Sequence, residues 1–264
     1  MPDDLRSLAA SLLALHVPGS PLILPNVWDV PSAQAVVAAG YPVVATSSEA
    51  VAQTLGYRDG QEAPAALMLA AAARIARTID VPLSIDAEAG YGMTPADLVD
   101  ALLTAGAAGC NLEDTDHDGA GLREVGAQAD FLSGVRAAAD DAGVHLVVNA
   151  RVDVFLQDGW ARDPEAALAA AVERGRCYGR AGADCVYPIL LHDPALAARF
   201  CAAMAPMPVN LLGSPTRAAG RIQLGPAAAA GAARVSFGPD LWRATMLALA
   251  ALIPPGIIAT HGGQ

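Results

Sequence analysis

The feature that most constrains this chain is a unit repeated eight times: a short β-branched run, a polar loop, then an alanine-rich amphipathic stretch. The strand-like runs lie at 21–26, 42–48, 82–88, 109–114, 145–153, 185–190, 208–213 and 234–238. Helical patterns lie near 31–39, 62–79, 94–105, 126–142, 163–180, 193–204, 225–231 and 239–253. Several of these open with proline set for the first turn, at Thr94-Pro95, Asp163-Pro164, Asp193-Pro194 and Gly238-Pro239. Strands alternating with helices pair in parallel through right-handed crossovers. Open doubly wound sheets usually have fewer strands, and no Gly-x-Gly-x-x-Gly follows the first one. The expected fold is an α/β protein, a (β/α)8 TIM barrel. One such domain would take in residues 1–264, ending in a short C-terminal extension, because no linker or charge block divides the 264 residues.

An omission narrows the chemistry. All 16 basic residues are arginine. Without lysine there is no Schiff-base aldolase, no covalently held pyridoxal phosphate and no phosphate-loop lysine. Anions must be met by arginine, backbone N–H groups or a metal. A net charge of −11 argues against nucleic-acid or anionic-membrane partners. The apolar run from Ala244 to Ile253, stopped by Pro254-Pro255, is too short to span a bilayer. The opening Met1-Pro2-Asp3-Asp4 lacks the basic start of a secretion signal, so a cytoplasmic location is expected. Cys110, Cys177, Cys185 and Cys201 show no Cys-x-x-Cys pairing and read as reduced, with Cys110 and Cys185 buried in or beside strands.

Barrel enzymes place their chemistry at the C-terminal ends of the strands. Here those ends are polar: Asn26 followed by Trp28 and Asp29, then Thr46-Ser47-Ser48, Asp86-Ala87-Glu88, Glu113-Asp114, Arg151-Val152-Asp153, and Asn210 on strand seven. Asp86 and Glu88, two apart on a strand, would face the same way. Glu113 and Asp153 on the following strands can reach the same space. Crowded carboxylates raise one another's pKa or demand a cation. An all-oxygen site suits Mg²⁺, which keeps several waters and uses one or two direct carboxylates. Asp86 is the expected direct ligand, with Glu88 and Glu113 holding waters and Mn²⁺ an alternative ion. The plainer reading is a set of solvated strand-end acids, some paired with Arg151. Arg151 could clamp a substrate carboxylate or phosphonate facing the metal, or form an ion pair with Asp153 or Glu113.

Together these motifs resemble the isocitrate lyase/phosphoenolpyruvate mutase superfamily. The resemblance runs from Leu22 to about Met246 and is carried by Asn26-Val27-Trp28-Asp29, Ala39-Gly40-Tyr41, Ala45-Thr46-Ser47-Ser48, Gly56-Tyr57-Arg58-Asp59-Gly60, Asp86-Ala87-Glu88-Ala89-Gly90-Tyr91-Gly92, Asn111-Leu112-Glu113-Asp114 and Asn149-Ala150-Arg151-Val152-Asp153. It implies the same barrel, with the last helix exchanged between subunits of a homo-oligomer, a dimer or tetramer. It implies Mg²⁺ on Asp86, Glu88 standing where an Asp is commoner, and Glu113 and Asp59 near the metal waters. The backbone amides of Ser47 and Ser48, beside Trp28, match a subsite for the 2-oxo carboxylate. Arg151 and Asn210 match positions on the opposite side.

The departures bear on the reaction. Isocitrate and methylisocitrate lyases carry a Lys-Lys-Cys-Gly-His run after strand four; here Thr115 to Arg123 holds neither Cys nor Lys. The Glu those lyases place at the end of strand six is absent where Tyr187-Pro188-Ile189 stands, and the Lys- and Asn-containing loop of phosphonate mutases and hydrolases is missing too. The loop's glycines suit a lid, and His117 is its one residue poised for proton transfer near neutrality; an exposed loop His is otherwise simply solvated. His16, His145, His192 and His261 read as structural or surface residues. The expected activity is a Mg²⁺-dependent carbon–carbon lyase acting through an enolate on a small 2-oxo mono- or dicarboxylic acid. An oxaloacetate-type hydrolase, a C–P bond enzyme on the same scaffold and a non-catalytic 2-oxo acid binder are the alternatives.

Overall fold

The computed structural model describes residues 3–119, 121–214 and 222–253. Nine short strands realise the eight predicted runs: β1 (Leu22–Leu24), β2 (Asn26–Val27), β3 (Val44–Thr46), β4 (Leu83–Asp86), β5 (Gly109–Glu113), β6 (Val147–Val152), β7 (Cys185–Pro188), β8 (Asn210–Leu212) and β9 (Arg234–Ser236). The first run is cut in two at Pro25, which has no N–H to give a ladder. All pairings between these strands are parallel, in the orders β2-β3-β4-β5-β6-β7 and β1-β9-β8. A parallel bridge between Val186 and Val209 joins β7 to β8, with the Val186 N–H donating to the Pro208 carbonyl at 3.0 Å. Since β1 and β2 are successive pieces of one strand, the two sheets are arcs of one closed barrel.

The eight predicted helices are present as α2 (Val30–Ala38), α4 (Ala65–Ala76), α5 (Pro95–Thr104), α6 (Val125–Asp141), α7 (Pro164–Arg180), α8 (Pro194–Met204), α9 (Leu224–Ala229) and α10 (Asp240–Leu252). Thr94, Asp163 and Asp193 cap α5, α7 and α8 by accepting backbone N–H groups. Asp29, expected among the residues of the mouth, instead caps α2 in a reciprocal box with Ser32.

Among the described residues two α-helices come in addition. The first, α1 (Asp3–Ala14), closes the N-terminal end of the barrel: Leu12 is fully buried beside Gly109 and Val147, which begin β5 and β6. The second, α3 (Ser48–Thr54), starts at the mouth with Ser47 as its cap.

One expectation is corrected in its geometry. The third strand ends at Asp86, and Glu88 lies beyond it with φ +48°. The turn that follows needs glycine at position 90, where φ is +90° and an added Cβ would stand 2.8 Å from the Phe131 ring. Strand alternation therefore does not aim Glu88. The cysteines are unpaired as expected, and burial pushes the Cys110 and Cys185 thiols up to about 12, which leaves them inert. Among the described residues no helix is long and apolar enough to cross a membrane. His261 and the C-terminal extension lie outside the described residues.

Candidate active site

The C-terminal strand ends surround a cavity of about 390 Å³, lined by Asn26, Ser47, Ser48, Asp59, Asp86, Asn111, Arg151 and Tyr187 among others. A somewhat larger hollow of about 460 Å³ lies between α1, α4 and α5 and is walled mainly by Leu5, Leu8, Ile79, Leu103 and neighbouring alanines. Its lining holds one acid, Asp80, whereas the clustered acids stand at the mouth.

Asp86 ends β4 with its N–H held by Thr46 Oγ1 at 2.9 Å. Its Oδ2 accepts the Ser48 N–H at 3.1 Å, while Oδ1 is buried with no partner. Glu88, 2% exposed, uses Oε2 to accept the N–H groups of Gly60 (3.0 Å) and Gln61 (2.5 Å). Burial first, then the charges of Asp59 and Asp86, push its carboxyl up to about 7. Asp59 stands at the exposed rim, and its pKa is raised by partial desolvation and then by Asp86. Cation demand is concentrated here.

Arg151 is held on two sides. Its Nη1 meets Glu113 Oε2 at 2.6 Å, and its Nε and Nη2 reach the two Asp153 oxygens at 2.6 and 2.7 Å. Asp153 also accepts from Thr115 Oγ1 at 2.5 Å, and its N–H donates to Asp114 Oδ1 at 2.8 Å. Asp114 in turn accepts from Arg174 and the Tyr178 hydroxyl. Glu113 has a second partner in His117 Nε2 at 2.6 Å. That bond is the main reason the imidazole pKa is raised, against the pull of burial.

Asp59, Asp86, Glu113, Arg151, Ser47 and Ser48 thus come together as expected, and His117 closes over Glu113. Other predicted residues fall elsewhere. Trp28 packs toward Val51, Ala52 and Ala63 and lines a separate groove. Thr46 is buried and spends its hydroxyl on Asp86. Asn210 is fully buried, bonded to Ser236 at 3.0 Å, and does not line the mouth. The amides expected to cradle a carboxylate are occupied, Ser47 N–H by the Val27 carbonyl at 3.1 Å and Ser48 N–H by Asp86. Arg151 forms the ion pairs weighed against its clamp role, though each of its Nη groups keeps one further N–H.

Three residues were given no site role from the sequence. Asn111 lines the floor and could have been found, since it alternates with Glu113 on one strand. Arg243 of α10 reaches the rim and pairs with Glu49 at 2.6 Å. Arg234, at the N-terminal start of β9, is wholly buried inside the barrel, and strand position gave no hint of its reach.

Among the described residues no three acidic, histidine or cysteine side chains converge closely enough to ligate one ion by themselves. A hard cation that keeps most of its waters needs less: one open oxygen and acids at water distance. Asp86 Oδ1, a buried acceptor with no donor, meets the first requirement. The donor set fits Mg²⁺.

Residues 12–254 match the family described as phosphoenolpyruvate phosphomutase. The chain belongs to this family. It is 32% identical over 241 residues to an uncharacterized protein of Mycobacterium tuberculosis, covering 89% of this chain and 84% of that one. A probable 2-methylisocitrate lyase of Corynebacterium glutamicum is 29% identical over 209 residues, which is 75% of this chain and 63% of the lyase. A crystal structure from Burkholderia cenocepacia, provisionally called a phosphonomutase, superposes with a TM-score of 0.86 at 40% identity over 93% of this chain and 98% of its own. Membership places the protein among lyases and mutases of the isocitrate lyase/phosphoenolpyruvate mutase superfamily, on the barrel that superfamily shares.

Proposed function

We propose that this protein is a Mg²⁺-dependent enzyme that binds a small 2-oxo acid and makes or breaks a carbon–carbon bond next to an enolate. The observation that carries this reading is Asp86 Oδ1, unpartnered and buried in a mouth where Asp59, Asp86 and Glu88 crowd one another while Arg151 is already paired with Glu113 and Asp153. Such an excess of carboxylate repels an anionic substrate unless a cation intervenes. Asp86 would hold Mg²⁺ directly, with Glu88 and Glu113 receiving its waters. Bound there, the ion would supply Lewis-acid stabilisation of the developing enolate oxygen.

This chain's own residues do the rest. The remaining Nη hydrogens of Arg151 orient the acid's carboxylate, and the carboxylates of Glu113 and Asp153 keep the fork rigid. The Ser47–Ser48 turn borders the carboxylate end, and the Ser48 N–H holds Asp86 Oδ2 so that Oδ1 stays open to the cavity. His117, held by Glu113, carries a proton to or from the reacting carbon or oxygen. The protein works as a homo-oligomer, a dimer or tetramer with α10 exchanged between subunits, in the cytoplasm.

Calorimetry with Mn²⁺ or Mg²⁺ tests the core of this. Wild-type protein should bind the ion, and Asp86→Asn should lose that binding by a hundredfold or so while staying folded. Undiminished metal and ligand affinity in the variant would end the proposal. Turnover is read on oxaloacetate, methylisocitrate-like acids and phosphonopyruvate. Pyruvate release without phosphorus chemistry supports the lyase; oxalate and acetate from oxaloacetate point to hydrolysis instead. The likeness to a protein provisionally called a phosphonomutase makes C–P bond chemistry the second reading, with phosphonopyruvate as its diagnostic.

A further inference from the structure

Asn111 lies in the floor of the mouth cavity, in register with Asp86 on the neighbouring strand. Its side-chain oxygen accepts two hydrogen bonds, from Asn149 Nδ2 at 2.9 Å and Arg234 Nη2 at 3.2 Å. A guanidinium can only donate. Arg234 therefore fixes which end of the amide is oxygen: Oδ1 points into the barrel, and Nδ2 is turned the opposite way, to the cavity that Asn111 lines. No group among the described residues accepts from that Nδ2.

Arg234 itself is hard to explain structurally. It is fully buried, makes no ion pair among the described residues, and leaves Nε and Nη1 without hydrogen bonds. A buried cation without a counter-ion is costly, and local rules are broken in this way mainly at functional sites. Its charge sits directly behind the Asn111 amide. Donation into Oδ1 polarises the amide and makes its N–H groups stronger donors.

We propose that Asn111 is a substrate-binding residue, donating from Nδ2 to an anionic oxygen of the bound acid, and that Arg234 is the positioning residue that orients and polarises it. This rests on the 2-oxo acid reading of the same cavity. In a pocket dominated by carboxylates, Asn111 supplies a neutral donor that attracts an anion without repelling the cation at Asp86.

Asn111→Asp separates this role from a structural one. Arg234 gains a carboxylate partner while the cavity loses its donor. Thermal unfolding should then occur at or above the wild-type temperature, and Mn²⁺ affinity should hold or tighten. Oxalate affinity in the presence of Mg²⁺, measured by calorimetry, should fall about tenfold or more. Arg234→Met should weaken oxalate several-fold with Mn²⁺ binding intact. Unchanged oxalate affinity in Asn111→Asp overturns the assignment of Asn111; unchanged affinity in Arg234→Met removes Arg234 from it. A joint fall of stability, Mn²⁺ and oxalate binding would show a merely structural role. If the wild-type protein binds no oxalate at all, the 2-oxo acid reading itself falls, an outcome distinct from the others.

Discussion

Glu88 and His16 are both buried titratable groups, yet they act on stability in opposite directions. The Glu88 carboxyl, pushed up to about 7, stabilises the fold at low pH and loses that contribution as pH rises from its ordinary range through about 7. His16 donates from Nδ1 to the Leu12 carbonyl at 2.8 Å, and burial, then Arg234, lowers its pKa to about 4. Its contribution is complete above about 6.5 and is lost as pH falls through about 4. Metal-free Glu88→Gln should therefore gain on wild type between about pH 4.5 and 7, by up to roughly 3 kcal/mol. His16→Gln should instead lose the wild-type decline on acidification below about 6.5. Urea unfolding of the three proteins at pH 5 and pH 8 checks both signs; a Glu88→Gln curve parallel to wild type would mean its carboxyl is not perturbed. Added Mg²⁺ should abolish the Glu88→Gln advantage.

At the level of elements, the short side chain of Asn26 holds the mouth together. Its Nδ2 donates to the Thr46 carbonyl at 2.8 Å, and its Oδ1 accepts the Phe237 and Gly238 N–H groups at 2.8 and 2.9 Å. One residue on β2 thus ties β3 to the end of β9, spanning the point where Pro25 interrupts the first strand. Asn26→Ala breaks three hydrogen bonds to buried or half-buried backbone groups and should cost about 3 kcal/mol, visible as a fall of roughly 10 °C in melting temperature. Asn26→Asp keeps the two acceptor bonds and should lose less; equal losses would show that the β9 staple is not the important part. The lid candidate is folded back on itself, with Thr115 bridged to Leu122 and Asp116 N–H on the Gly121 carbonyl at 3.0 Å, and Thr115 Oγ1 ties it to Asp153. Its polar composition was plain in the sequence. That His117 would land on Glu113 was not, because a loop's path depends on what it packs against.

For the whole molecule, α10 presents an unfinished surface. Leu247, Leu249, Leu252 and Ile253 are 74%, 50%, 81% and 61% exposed, next to an apolar groove of about 520 Å³ lined by Trp28, Ala35, Val36, Leu241 and Met246. Exposed apolar faces of this kind mark interaction surfaces. Sedimentation should give a dimer or tetramer, and Leu247→Glu combined with Leu252→Glu should give a folded monomer with unchanged far-ultraviolet circular dichroism. A wild-type protein that sediments as a monomer at tens of micromolar would refute the oligomer.

Much of this molecule was written locally. The eightfold strand–helix alternation, the proline-led caps and the acids at strand ends follow from side-chain period and backbone chemistry, and those near-neighbour properties suffice for a closed barrel with an acidic mouth. What only the tertiary structure decided are contacts between distant strands. These include the bare Oδ1 of Asp86, the clasp of Glu113 and Asp153 on Arg151, and the reach of Arg234 from the start of β9 to Asn111 on β5. The physical reason is that a side chain's partners in a closed barrel come from across the ring. Strand alternation says which way a residue faces and nothing about what it meets there.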